Sequence, residues 1–269
     1  TVHAAADNTV AIPDAEGGNS WTYGDTPSTL PQASATYGTA VYAYALLPEG
    51  FTGEDYSAVT GWTGGFPTDA GRYVVRATVA KTNNYNGAVA YKQFTIEAAE
   101  IAVSGVAGYA GTYDGRQHNA RTAGTAETVD GSAVTWQYRL DGQNDWQTAQ
   151  IALKDAGEYT VWYKVSAKNH ADATDSFRVR IDKAALGVLI GNAEIVYGEQ
   201  APESYSIEYR SFVLGETQAV ITGTPKFIAE GYDGAAGEYK VTVSGIEAKN
   251  YDFDIVKGKL IVRKKTVNV

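Results

Sequence analysis

The chain has 269 residues, with 22 Lys+Arg against 31 Asp+Glu for a formal net charge of −9, no Cys or Met, 29 Gly and 19 Tyr. At roughly 100–150 residues per domain this length allows two or three domains with real cores. The lack of cysteine excludes disulfides, thiolate zinc sites and thiol nucleophiles. The acidic balance argues against nucleic acid, which needs a clustered basic face, and no apolar run approaches the roughly 18–20 residues of a membrane span.

From the amino terminus, Thr22-Tyr23-Gly24-Asp25 reads as an aromatic turn, and Tyr42 and Tyr44 as core aromatics of an early strand. A long segment from Pro48 to Phe66, holding Trp62, precedes Asp69-Ala70-Gly71-Arg72-Tyr73-Val74-Val75. There Tyr73, Val75, Ala77 and Val79 share one face, and Arg72, Val74, Arg76 and Thr78 the other. That is the period-2 pattern of a half-buried strand. Asn84-Tyr85 and a closing apolar strand, Phe94-Thr95-Ile96, follow. The same order returns in Thr112-Tyr113-Asp114-Gly115, Asp155-Ala156-Gly157-Glu158-Tyr159-Thr160-Val161, Asn169-His170 and Phe177-Arg178-Val179-Arg180-Ile181. It returns again in Val196-Tyr197-Gly198-Glu199, Ala235-Ala236-Gly237-Glu238-Tyr239-Lys240-Val241, Asn250-Tyr251 and Leu260-Ile261-Val262. Phe94, Phe177 and Leu260 stand at equal intervals of 83 residues. Four ordered landmarks, each present three times, mark three copies of one module.

The closing strands set the predicted boundaries. Module 1 covers 1–98, with an N-terminal extension and an insertion near 48–66, module 2 covers 99–182, and module 3 covers 183–263. The tail, 264–269, reads as the start of a following strand or linker. No Gly/Ser-rich or Pro-rich spacer separates the modules, which predicts short, stiff joints. Turn signals at Asp130-Gly131, Asp141-Gly142 and Asp233-Gly234 break each module into about seven short strands, the rhythm of a β-sandwich. The predicted fold is therefore all-β: three tandem immunoglobulin-like sandwiches without disulfides in an elongated array, spanning on the order of 100 Å.

In immunoglobulin-like sandwiches a tyrosine near the start of strand F hydrogen-bonds back across a corner, two residues before the usual disulfide position. Tyr73, Tyr159 and Tyr239 fit that tyrosine, and Val75, Val161 and Val241 fill the cysteine position. Trp136 fits the buried strand-C tryptophan of module 2, with Tyr205 and Tyr209 as weaker counterparts in module 3. The Tyr-Gly-Asp or Tyr-Asp-Gly turn, Asp-Ala-Gly-x-Tyr-x-Val, Asn-Tyr and the closing strand together resemble the mostly bacterial immunoglobulin-like (MBG-type) repeats. The resemblance implies an extracellular bacterial location, secreted or wall-attached, and a non-catalytic structural or interaction role as stalk or adhesin repeats. The alternative it implies is a set of carbohydrate-binding accessory modules of a secreted glycan-degrading enzyme. It implies no catalytic residues, and its partners are neighbouring repeats of the same polypeptide and host glycan or protein.

The residues themselves add little chemistry. Gly105 to Gly111 is Gly-rich but lacks the G-x-G-x-x-G spacing and reads as a loop. His118 and His170 adjoin turn residues and read as solvated loop histidines. Asp141, Asn144 and Asp145 supply oxygens of the kind Ca²⁺ prefers, but a hairpin turn accounts for them better. Asp252 and Asp254 alternate along a strand and point to solvent. A Lys–Asn isopeptide crosslink between first and last strands is not expected, because the closing strands carry no Asn. No cofactor or metal is expected. Candidate ligand contacts are aromatics that break the repeat: Trp162, whose counterparts are Arg76 and Thr242, together with Trp146 and Trp62. On an outward sheet face such rings stack on sugars or dock on a neighbouring module.

Overall fold

A computed structural model describes residues 5–26, 30 and 32–266. His3 and Val267 to Val269 lie outside the described residues. Lys264, Lys265 and Thr266, the described part of the predicted strand or linker, are not in a strand. Among the described residues nearly all regular structure is β, and the one helical element is a 3₁₀ turn at Gln218–Val220. The chain divides into two compact units. One comprises 1–104, 125–136 and 164–174, and the other 105–124, 137–163 and 175–269, so the segment predicted as module 2 contributes to both.

In the first unit, a four-stranded sheet runs in the order Ser20–Thr22, Ala88–Glu97, Gly71–Val79, Val41–Leu46. Its inner face is built by the predicted alternation: Tyr73, Val75 and Ala77 are buried with Phe94, Ile96 and Ile12. The opposite face departs from expectation. Val74, predicted to point outward, is 0% exposed. The Pro48–Phe66 insertion folds over it and makes a second cluster from Ala45, Leu47, Val59 and Val74, packed by Phe51, Tyr56 and Trp62. Tyr44 and Thr63 exchange two backbone hydrogen bonds of 2.7 and 2.8 Å, so the insertion also covers an otherwise open sheet edge.

The second unit contains a two-layer sandwich. One sheet orders Ala193–Val196, Gly258–Arg263, Gly237–Ala248 and Ile221–Ala229, and the other orders Ile207–Arg210, Ala184–Ile190 and Tyr251–Val256. Val188 and Ile190 from one layer meet Ile195, Val241, Val243, Leu260 and Val262 from the other. Apolar burial of this kind, about 25 cal/mol per Å², holds the layers together where no disulfide exists. The sheet ordered Ala110–Thr112, Ala173–Asp182, Gly157–Ser166, Thr135–Leu140 repeats the same arrangement. In all three sheets the short strand before the aromatic turn pairs parallel to the closing strand. The architecture is an immunoglobulin-like β-sandwich without disulfides.

The Gly105–Gly111 stretch corrects one expectation: it lies in strands Ala102–Gly108 and Ala110–Thr112 rather than in a loop. A Cβ on Gly108 would overlap the Arg178 carbonyl, so the glycine serves close strand approach.

Candidate functional site

Each aromatic turn leaves its opening strand and is anchored to the closing strand. Tyr23 N–H donates to the Glu97 carbonyl, Tyr113 N–H to Asp182 and Tyr197 N–H to Arg263, each at 2.8 Å. At the neighbouring corner, Tyr73 and Tyr159 hydroxyls donate to the carbonyls of Asp69 and Asp155 at 2.9 Å, and Tyr239 to Ala235 at 3.0 Å. Turn and corner together present a platform, and on the first two of these sits a loop of the next repeat.

In the first unit, Asn169 accepts a hydrogen bond from Ala70 N–H at 3.1 Å and donates to the Asp69 carboxylate at 3.0 Å. Lys168 Nζ lies 2.9 Å from the other Asp69 oxygen. The Tyr23 ring meets His170 edge-on at 5.6 Å, and its hydroxyl donates to Asp130 at 2.9 Å. In the second unit the arrangement recurs. Asn250 accepts from Ala156 N–H at 2.8 Å and donates to Asp155 at 3.0 Å, with Lys249 on the second carboxylate oxygen. The Tyr113 ring meets Tyr251 edge-on at 5.6 Å and donates to Glu216 at 2.5 Å. Gly24 and Gly115 open the platform further. A Cβ on them would come 2.8 Å from Val129 and 3.1 Å from Leu214 respectively.

The electrostatics follow from these partners. Hydrogen bonding from Lys168, then Asn169, holds the Asp69 carboxyl below its ordinary 3.8, and Lys249, then Asn250, do the same for Asp155. The Ser132 amide, its hydroxyl and then the Tyr23 hydroxyl lower Asp130. Burial first, and the Glu216 carboxylate second, push the Tyr113 phenol up to about 12. Both lysines are largely exposed and both carboxyls are held ionised, so each Lys–Asp pair is ionic.

These clasp residues were missed in the sequence, although a signal was present. Asp stands at the first and second corners and Lys precedes Asn in the second and third turns, whereas the third corner has Ala235 and the first turn has Asn83. The paired presence and absence, offset by one repeat, marks a contact between consecutive copies.

The candidate ligand aromatics lie elsewhere and are already engaged. Trp162 is half-buried rather than open, because the hairpin after Leu140 folds back over it: its indole N–H donates to Asp141 at 2.9 Å, and Arg139 stands over the ring at 5.5 Å. The same guanidinium lies 5.0 Å from Trp146. Trp62 donates to the Val59 carbonyl at 2.9 Å and lies under Arg76 at 4.4 Å. Trp62 and Trp146 are also not unmatched. Thr63 bridges Tyr44 and Gln147 bridges Tyr138, so the two tryptophans hold the same place in successive repeats.

His170 corrects the solvated-histidine reading. It is 8% exposed, with Nδ1 2.7 Å from the Lys168 carbonyl. His118 stacks on Tyr109 at 4.0 Å and contacts Asp114 at 2.9 Å. Trp136 is half-buried, and Tyr138, two residues on, is the fully buried aromatic of that strand. Among the described residues no three of His, Asp and Glu gather as metal ligands, Asp141 and Asp145 included. No helix there is long and apolar enough to cross a membrane.

Comparison with known proteins places these features. No curated protein matches the chain in sequence. The crystal structure of Drosophila N-cadherin EC1-4 is 10% identical over 96% of this chain and 75% of its own, with a TM-score of 0.35. Mouse cadherin-23 EC22-24 is 15% identical over 92% and 95%, with a TM-score of 0.28. Three N-terminal domains of the bacteriophage RB49 outer capsid protein Hoc are 16% identical over 80% and 73%, also at 0.28. In sequence, residues 186–261 match the family described as MBG domain (YGX type). The third set of landmarks, from Tyr197-Gly198-Glu199 to Leu260, falls inside that match, and the chain thus carries an MBG-type repeat.

Proposed function

We propose that this chain is a non-catalytic structural and interaction region of a bacterial extracellular cell-surface protein, a run of stalk or adhesin repeats. The observation that supports it is the clasp made twice over: an Asn-aromatic turn seated on the tyrosine corner of the preceding repeat, at Asp69-Ala70 and again at Asp155-Ala156. Such a contact does no chemistry; it sets the direction in which one sandwich leaves the next. Fixed joints are what a scaffold requires and what a lone ligand-binding module does not.

Small-angle scattering tests the reading. The wild type should fit a narrow set of joint angles, and Asn169→Ala with Asn250→Ala should broaden it. A compact globule, or joints indifferent to both substitutions, would overturn the proposal. The sugar-binding alternative is disfavoured by Arg139, which already covers Trp146 and Trp162. Glycan binding by the wild type that is lost in Trp162→Ala and Trp146→Ala would revive it.

A further inference from the structure

The two clasps differ in how their central carboxylate is served. In the second, Glu216 accepts from two phenols, Tyr113 on one oxygen and Tyr251 on the other, each at 2.5 Å. In the first, Asp130 takes the place of Glu216, Tyr23 that of Tyr113 and His170 that of Tyr251. Tyr23 donates to Asp130 Oδ2 at 2.9 Å, and Ser132 N–H donates to Oδ1 at 3.0 Å. His170 Nε2 lies 4.0 Å from that Oδ1, in a side chain that is 0% exposed, and has no hydrogen-bond partner.

The other ring nitrogen accounts for the missing bond. His170 Nδ1 lies 2.7 Å from the Lys168 carbonyl, which can only accept. A neutral ring therefore keeps its single proton on Nδ1 and turns a bare lone pair at Nε2 toward a carboxylate. A protonated ring carries N–H at both nitrogens, and the second becomes a charge-assisted donor facing Asp130. Hydrogen bonds from the Ser132 amide, its hydroxyl and the Tyr23 hydroxyl hold that carboxyl ionised. The other titratable groups beside the ring are engaged elsewhere or solvated. Tyr23 meets it edge-on and gives its hydroxyl to Asp130. Lys168 is 2.9 Å from Asp69, Asp172 is 3.9 Å from Lys164, and Asp25 and Glu100 on the adjoining segments are exposed.

We propose that His170 is a proton-operated latch on the first joint: protonated at Nε2 it closes onto Asp130, and neutral it leaves that joint one bond short. Tyr251 makes the corresponding bond to Glu216 with a phenol pushed above its ordinary 10.0 by burial and then by Glu216. The second joint is therefore latched throughout the neutral range. The two joints part company between about pH 5 and 8, where imidazoles ordinarily change charge. Because the bond needs the proton, its contribution is present at the acidic end of that range and lost as the pH rises.

The latch rests on the reading of these contacts as joints, and its test is separate. Unfolding equilibria of the full chain are measured for the wild type, His170→Phe, Asp130→Asn and the double variant at about pH 5.5 and 8. The coupling between His170 and Asp130 should be roughly ten-fold in the equilibrium constant at the lower pH and absent at the higher. Nitrogen NMR of the wild-type imidazoles should show His170 passing from the Nδ1–H tautomer to the doubly protonated ring across the same range. Asp130→Asn should move that passage to lower pH. These spectra need no substitution at His170, so they decide the matter even where His170→Phe does not fold. A ring that stays in the Nδ1–H tautomer down to about pH 5, a coupling equal at both pH values, or a passage indifferent to Asp130→Asn would each overturn the latch. Scattering with Asn169→Ala and Asn250→Ala reads the joints themselves, and its outcome is independent of the latch.

Discussion

Asn169 and Asn250 make the same pair of hydrogen bonds, but they are not equivalent residues. Asn169 has a φ of 64°, in the left-handed region, and Asn250 does not. Asparagine tolerates that conformation, whereas other side chains cost roughly 1–2 kcal/mol there. Asn169→Ala should therefore destabilise by about 1 kcal/mol more than Asn250→Ala, and Asn169→Gly should recover that excess without restoring the bonds. Denaturant unfolding of the three variants checks this; equal losses for both alanines would show that the backbone term is absent. Tyr113 offers a second residue-level test. Its raised phenol favours the folded state fully below the ordinary value of 10.0, and that contribution is lost as the pH rises through about 12. An ultraviolet titration should thus show a late-ionising tyrosine that disappears in Tyr113→Phe.

At the scale of elements, the insertion and the hairpin solve one problem by different means. In the first repeat, Arg76 lies on the corner strand and covers Trp62. In the second, that strand position is taken by Trp162, and Arg139 on the adjacent strand Thr135–Leu140 covers both Trp162 and Trp146. A cation over an indole is worth about 0.5–1 kcal/mol at an exposed site. Arg139→Ala should accordingly cost little stability yet open two of the five tryptophans to acrylamide quenching. Unchanged quenching would mean that the guanidinium does not shield them. Leu260, 0% exposed between the two layers, sets the contrasting scale: Leu260→Ala should cost about 2–5 kcal/mol.

For the molecule as a whole, the clasps tie stability to pH and salt. Asp69 and Asp155 are held below their ordinary 3.8, so their contribution is present above that value and lost as the pH falls through the lowered folded values. Lys168 and Lys249 are raised above 10.5 by their aspartate partners. Their contribution is present below 10.5 and lost as the pH rises through the folded values. Melting curves of the wild type should fall in acid more steeply than those of Asp69→Ala with Asp155→Ala, and the difference should shrink at about 1 M salt. Identical acid profiles would show that the clasps are passive.

Strand periodicity and the tyrosine corners were legible in the chain because each depends on neighbours two to five residues away. The burial of Val74, the partners of the tryptophans and the interior place of His170 were not. Each is decided by a segment distant in sequence: the insertion over Val74, Arg139 over Trp162, and Tyr23 with Asp130 against His170. Local alternation says which side of a strand a residue faces, but only the folded arrangement says what lies on that side. The clasps turn on the second question, since Asp69 with Asn169 and Asp155 with Asn250 stand 100 and 95 residues apart along the chain.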